Sequence, residues 1–366
     1  MFWKRRIYLD YAAGVSANAS SSHAEGRAAK SMLEDARTLI ARLVEVKSDD
    51  VVFTSGATEA NALAILGLLK AGDHALYLPS AHASIVENMK LAGTRGVYIE
   101  ELPITDARID VEKLKKMLRP ETKLVAMDAV CGETGVVWNT REVKQAIAAH
   151  TVLHIDASQA PMSEKTTRTH FGADMLTLDA SKLGTSRGIG ALIAHRTIPL
   201  VPLYEGGGQE RGLRPGSEAS KLTKKFAASL RDAALGQETF RARAQLLRKS
   251  LIERIKRTIP NVYINEGPKG DNRQAPQILN LSLPGRDTDY VVVLLDEAGF
   301  AVSTRSACET DSETGSRAVY ALSGDEALAR STLRVSWGPN ISARDLDRFA
   351  QALVRSVAFI DNGPHR

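Results

Sequence analysis

The sequence predicts an α/β fold: a large, mostly parallel seven-stranded sheet with helices on both faces, joined to a smaller αβ domain. Three observations carry this reading. Seven short apolar runs alternate with helical patterns between about residues 25 and 200. Such strand–helix alternation suits a parallel sheet covered on both sides. Two long helical patterns follow, and after them a second, shorter strand–helix succession.

Taken in order, the strand-like runs are 51–54, 75–78, 96–100, 124–129, 152–155, 175–178 and 189–194. Helical spacing fits 22–45, 58–71, 83–93, 110–118 and 140–149 between them. The long helical patterns are 219–234 and 237–258. Beyond them, 278–282 and 332–336 read as strands, and 287–298 and 343–358 as helices. The boundary between domains falls inside the 237–258 helix. Residues 14–245 form the large domain; residues 1–13 and 246–366 form the small one.

The chain has 366 residues, 25% charged and 43% hydrophobic, a globular composition. No window approaches the roughly 20 apolar residues that cross a bilayer. The first residues, MFWKRRIYLDYAAG, lack the apolar stretch of a signal peptide, so a cytoplasmic protein with no membrane partner is expected. The two cysteines, Cys131 and Cys308, exclude a disulfide scaffold, and no CxxC or Cys/His cluster suggests a metal. The net charge of +5 concentrates in 241–257, whose apolar residues keep helical spacing. That pattern reads as a solvated helix face, and nucleic acid is not expected.

Four places carry chemistry. The run VVFTSGATEA at 51–60 passes from strand through Gly56 into a helix. There the N–H groups of Ala57 and Thr58 suit a phosphate, or Thr58 serves an ordinary cap. The run VLHIDASQ at 152–159 ends a strand pattern on Asp156, where α/β sheets bind ligands; the carboxylate pairs with a cationic ring nitrogen or caps the next turn. Lys182 follows the next strand and precedes a Gly-rich turn, near the same sheet edge. A lysine held in a partly buried cleft loses its proton and forms an imine with an aldehyde; otherwise it is a surface residue. Cys308 ends the likely strand 299–308 and opens a polar loop, so it is either an accessible nucleophile or an inert core thiol.

With these motifs in place, the chain resembles the NifS-like cysteine desulfurases of the class V aminotransferase superfamily, fold-type-I transferases that depend on pyridoxal 5′-phosphate (PLP). The resemblance runs almost end to end, through YLDYAA, TSGATEAN, AHASI, GETGVV, HIDASQ, SKLGTSRGIGAL, GGGQERGLRPG, LNLS, STRSAC and LRVSWG. It implies that Lys182 holds PLP through an imine and moves protons at the substrate α-carbon. It implies that Asp156 pairs with the pyridine nitrogen and Gln159 with the ring hydroxyl. His82 stacks on the ring, Ala57 and Thr58 bind the phosphate, and Ser217 reaches the phosphate from the other subunit of a homodimer. Ser181, beside Lys182, belongs to the same cofactor shell. Arg334 takes the substrate carboxylate. Cys308 accepts sulfur from L-cysteine as a persulfide and hands it to a protein acceptor, a scaffold or carrier.

The pattern departs from the family at five residues. Cys131 and Gly132 replace an Asn pair, Asp179 a Ser, Ser181 a His, and Arg305 a Gly. Asp179 puts an acid near a phosphate, with Arg187 or Arg211 as the cation expected to offset it. Other class V PLP activities (a selenocysteine or cysteine lyase, an aminotransferase) and a partner-binding relic that has lost catalysis are the competing readings.

Overall fold

The computed structural model describes residues 7–14, 17–184, 187–268, 273–304 and 315–362. The first part of the chain gives strands β1 (Val51–Thr54), β2 (His74–Tyr77), β3 (Tyr98–Glu101), β4 (Ile104–Thr105), β5 (Arg108–Ile109), β6 (Thr122–Asp128), β7 (Val152–Asp156), β8 (Met175–Asp179) and β9 (Gly190–Ala194). Helices α1 (Ala24–Leu43), α2 (Ala57–Leu66), α3 (Ala83–Thr94), α4 (Val111–Met117), α5 (Thr140–Ala146) and α6 (Arg168–Phe171) lie among them. The second part follows the long helix α7 (Ser220–Thr258). It comprises β10 (Tyr263–Ile264), β11 (Ile278–Ser282), α8 (Thr288–Glu297), α9 (Arg317–Ser323), α10 (Glu326–Arg330), β12 (Thr332–Ser336) and α11 (Ala343–Asn362).

Seven strands form the main sheet, in the order β1-β9-β8-β7-β6-β2-β3. β9 runs against both β1 and β8, and the other neighbours are parallel. Six strands therefore point the same way, and their carboxyl ends share one edge. The central strands are buried along almost their whole length, because helices cover both faces. The helix α1 shows how the sequence makes that cover. Its buried residues Ala29, Leu33, Ala36, Ile40 and Ala41 recur at three- and four-residue spacing, and His23 Nδ1 caps it by accepting Gly26 N–H. Where β9 meets the end of β1, only glycine fits: a Cβ on Gly190 would stand 2.7 Å from Gly56 Cα and 2.8 Å from Leu178 O.

The expected pair of helices at 219–234 and 237–258 is one helix of 39 residues. Gly236 costs about 1 kcal/mol inside a helix, too little to break one anchored at both ends. The first half buries Phe226, Ala227 and Leu230 in the large core; the second half buries Leu251 and Ile255 in a separate core. That second core joins Leu279, Leu281, Leu333 and Val335 of a three-stranded antiparallel sheet, β10-β11-β12, to Val291 of α8 and Phe349 and Leu353 of α11. At the other end of the chain, Asp10 bonds Ser21 and His23 at the start of α1.

The basic stretch is not simply a solvated face. Arg248 is buried, donating to Ile278 O at 2.6 Å and Glu266 at 3.0 Å. Arg243 donates to Pro339 O and Ile341 O, and Arg254 to Asp347. These guanidinium groups tie α7 to the second core. The expected strand at 299–308 is also absent over its described part: residues 299–304 make one bridge, Ser303 with Arg334. Among the described residues no helix is long and apolar enough to cross a membrane.

Candidate active site

The carboxyl edge of the sheet gathers the chemistry. Thr54 ends β1, and Gly56, at φ 152°, turns the chain into α2. His82 caps α3 after β2, with Nδ1 accepting from Ser84 N–H at 3.2 Å. Asp128 ends β6, Asp156 ends β7, and Asp179 ends β8. Lys182 follows in a single tight turn, Ala180–Leu183.

Two adjoining cavities open there. The larger, about 660 Å³, is lined by Gln159, Lys182, Arg334 and Trp337, among others. The smaller, about 120 Å³, is lined by His82, Asp128, Cys131, Gln159, Lys182, Arg317 and Arg334. Gly132, Gln159, Lys182 and Arg334 line both, so the two form one cleft. His82, Gln159, Lys182 and Arg334, expected from the sequence to share a site, are brought together. Lys182 and His82 are exposed in this chain, not partly buried; Gln159 and Arg334 are half-buried.

Asp156 is buried, and both its oxygens are held. Oδ2 accepts from Asn61 Nδ2 at 2.7 Å and Oδ1 from Ser158 N–H at 2.9 Å. Asn61 lies one turn into α2 and is fully buried, and its Nδ2 also reaches Ser84 Oγ at 2.8 Å. This bracing of the acid is absent from the sequence reading. The only signal for it is an Asn in an otherwise apolar helical run. Asp128 was missed as well, although its strand ends on an acid just as the Asp156 strand does. It stands in register beside Asp156. Burial, and then the Asp156 charge, push its carboxyl up to about 8.

Cys131 is buried at the cavity wall, its Sγ 3.8 Å from Ser80 O. Burial, then Asp128, push its thiol up to about 12. Gly132 leaves room for Gln159: a Cβ there would stand 3.0 Å from Gln159 Nε2. Arg334 Nη1 donates to Gly132 O at 3.2 Å.

The remaining expected residues lie elsewhere. Ala57 is buried and Thr58 exposed at the start of α2. Ser181 is half-buried and donates its N–H to Asp179. Ser217 is exposed, meets Asn18 Nδ2 at 3.4 Å, and lines neither cavity. Arg211 is not the cation expected near Asp179. It reaches toward Ala194 O, at the end of β9 opposite Gly190, which pairs with Asp179. Those ends are four residue steps apart along β9, about 13 Å of strand. Cys308 and Arg305 lie outside the described residues. Among the described residues no group of three or more His, Cys, Asp or Glu side chains is arranged to hold a metal.

A family model described as aminotransferase class-V matches residues 6–349. The chain belongs to the class-V aminotransferase family. Curated relatives to which it is similar within this family are named cysteine desulfurases. It is 31% identical to cysteine desulfurase IscS 1 of Archaeoglobus fulgidus, over 92% of this chain and 88% of that one. It is also 31% identical to a mitochondrial cysteine desulfurase of Arabidopsis thaliana, over 92% of this chain and 75% of the relative. Among solved structures, DndA from Streptomyces lividans is 32% identical with a TM-score of 0.75, covering 90% of this chain and 93% of that one. A NifS-like protein at 23% identity shares the fold, with a TM-score of 0.86 over 93% of this class-V chain and 92% of its own.

The class-V family implies PLP, and the ring half of that cofactor fits the site. A lysine amine, an imidazole and an amide face one cleft, and a buried, braced carboxylate ends the neighbouring strand. The phosphate half fits less simply, because the N–H of Ala57 already has an anionic partner, Asp179 Oδ2 at 2.9 Å.

Proposed function

We propose that this chain is a PLP-dependent cysteine desulfurase that transfers sulfur from L-cysteine to Cys308. The observation that carries the reading is the convergence of Lys182, His82, Gln159 and Arg334 on one cleft, in a chain whose relatives are named cysteine desulfurases. PLP supplies an electron sink for the substrate α-carbon. Lys182 provides the amine for its aldehyde, Asp156 the negative partner for its ring nitrogen, and Gln159 a donor for its ring hydroxyl. Exposed at the cleft mouth, His82 is suited to stack on the ring.

Substrate binding falls to Arg334. Its Nη1 donates to Gly132 O at 3.2 Å. The other N–H groups face a cleft that suits a carboxylate. Lys182 Nζ is the base placed to move the substrate α-proton.

The sulfur step uses the second cysteine. Cys131 is held protonated, so the thiolate needed for attack is assigned to Cys308. Flanking residues support that choice. Ser303 pairs its backbone with Arg334, and Arg317 lines the smaller cavity, so the chain enters and leaves the 305–314 stretch beside the cleft. Cys308 sulfur, as thiolate, bonds to the substrate sulfur, the substrate C–S bond breaks, and the carbon keeps the bond's electron pair and takes up a proton equal to the one the Cys308 thiol gave up. The products are a Cys308 persulfide and L-alanine: substrate carbon is reduced and sulfur oxidised, with no outside oxidant. A protein acceptor then takes the persulfide sulfur. Exposed Ser217, away from its own cleft, supports a homodimer in which it completes the other subunit's phosphate site.

The test is to incubate PLP-loaded protein with L-cysteine and measure alanine, protein persulfide and free sulfide. Alanine and persulfide in equal amounts are expected, with no persulfide in Cys308→Ser. Alanine with free sulfide, unchanged by Cys308→Ser, would mean a lyase.

A further inference from the structure

Asp179 stands at the meeting point of β8 and α2. Its Oδ2 accepts the Ala57 N–H at 2.9 Å, and its Oδ1 accepts the Ser181 N–H at 2.7 Å. One carboxylate thus caps both the α2 helix and the turn that carries Lys182. The fit is close: a Cβ on Gly56 would stand 3.3 Å from Asp179 Oδ2. A helix N-terminus attracts one anion through its unpaired N–H groups and its dipole. Here that anion belongs to the protein.

A phosphate dianion placed on the same N–H must displace the carboxylate or lie against it. Displacement removes the cap from the Lys182 turn; coexistence sets like charges side by side. Of the two candidate neutralising cations, Arg211 lies toward the other end of β9, and Arg187 is exposed and makes no ion pair with Asp179 among the described residues. An uncharged aldehyde of the same ring shape, such as pyridoxal, meets neither obstacle.

We propose that Asp179 is a built-in anion that discriminates against the phosphate of the cofactor, making Asp179 the residue that sets how tightly this chain retains PLP. The inference rests on the PLP reading of the cleft. It concerns a specificity residue, which touches the phosphate seat and not the reacting atoms.

The test compares PLP with pyridoxal. Each is titrated into the purified protein, with the visible absorbance of the Lys182 adduct and equilibrium dialysis as readouts. The proteins are the unaltered chain, Asp179→Ser and Asp179→Asn. Asn keeps a carbonyl acceptor for one N–H without the charge, so it controls for loss of the cap. Both variants are expected to bind PLP about 10- to 100-fold more tightly, with pyridoxal affinity changed by less than about threefold. Added salt should favour PLP binding to the unaltered chain through screening, relative to the variants. Equal changes for the two aldehydes, or weaker PLP binding in Asp179→Asn, overturn the proposal while leaving the PLP reading intact. No adduct with either aldehyde in any of the three proteins overturns the PLP reading and this inference together.

Discussion

Asp128 and Asp156 stand side by side at the ends of neighbouring parallel strands, yet only Asp156 has both oxygens bonded. Asp128 Oδ1 has no hydrogen-bond partner among the described residues, although it is buried at the wall of the cavity that Lys182 lines. Two buried carboxylates at this spacing do not both ionise readily. Asp156, braced by Asn61 and Ser158, is the one suited to the charge. Asp128 is the one that keeps its proton.

The stability of the protein should therefore fall as pH rises through a window set by Asp128. Its carboxyl lies near 8 in the folded chain, by burial and then by the Asp156 charge, against about 4 when unfolded. A raised folded value means the stabilising contribution is complete below about pH 4 and is lost progressively toward pH 8. Arg317, which lines the same cavity as Asp128, Lys182 and Arg334, opposes the shift. Asp128→Asn removes this dependence. Its melting temperature is expected to exceed that of the unaltered chain by several degrees at pH 7.5 and to approach it at pH 4.5. Thermal unfolding followed by circular dichroism checks this; parallel curves at both pH values would refute it.

The second prediction concerns the glycine-rich segment before α7. Glu210, with φ 47°, buries its carboxylate against Arg37 of α1, accepting Nη1 at 2.8 Å and Nη2 at 2.7 Å. It also accepts Phe53 N–H of β1 at 2.7 Å. One side chain thus joins the segment, the first helix and an edge strand. Glu210→Ala takes the bidentate partner from a buried guanidinium, leaving it Glu34 at 3.1 Å and Val51 O at 2.7 Å, and should cost about 2–4 kcal/mol. Replacing both partners with Met should cost less than Glu210→Ala alone, because no buried charge is left short of its main partner. Urea unfolding of the single and double variants measures the difference. A double variant less stable than Glu210→Ala would contradict the account.

The same residues show what a sequence can and cannot reveal. Apart from β3, an exposed edge strand that carries two glutamates, the strands of the main sheet were legible because their runs are apolar on both faces. The β4–β5 hairpin, β10 and the short helices α6, α9 and α10 have too few residues for a period to register. The continuity of α7 was hidden because its apolar stripe changes core near Gly236. Lys182 was legible from its place after a strand at the sheet edge, whereas Gln159, His82 and Arg334 were legible through resemblance alone; nothing in their spacing sets them around one cleft. The Arg37–Glu210 pair joins residues 173 apart in the chain, and no local pattern announces it. Asp128 was readable in principle, since the apolar-run-then-acid signal that marked Asp156 marks it too.

The last prediction separates the two thiols. Cys131 is buried, and its thiol is pushed up to about 12, first by burial and then by Asp128. At pH 8 its thiolate fraction is then about one in ten thousand, and burial slows a reagent further. In the folded protein, iodoacetamide should therefore label one cysteine quickly, and peptide mapping should place the label at Cys308. Unfolding in guanidinium should expose the second. Cys131→Ala should leave the fast reaction unchanged, whereas Cys308→Ser should remove it. Asp128→Asn should bring the Cys131 thiol only partway down, because burial is the larger cause, so Cys131 should stay slow in that variant too. Rapid labelling of Cys131 in folded Cys308→Ser would overturn both the burial argument and the assignment of the nucleophile by elimination. The sulfur acceptor of the cleft would then have to be sought at Cys131, on the cavity wall beside Lys182.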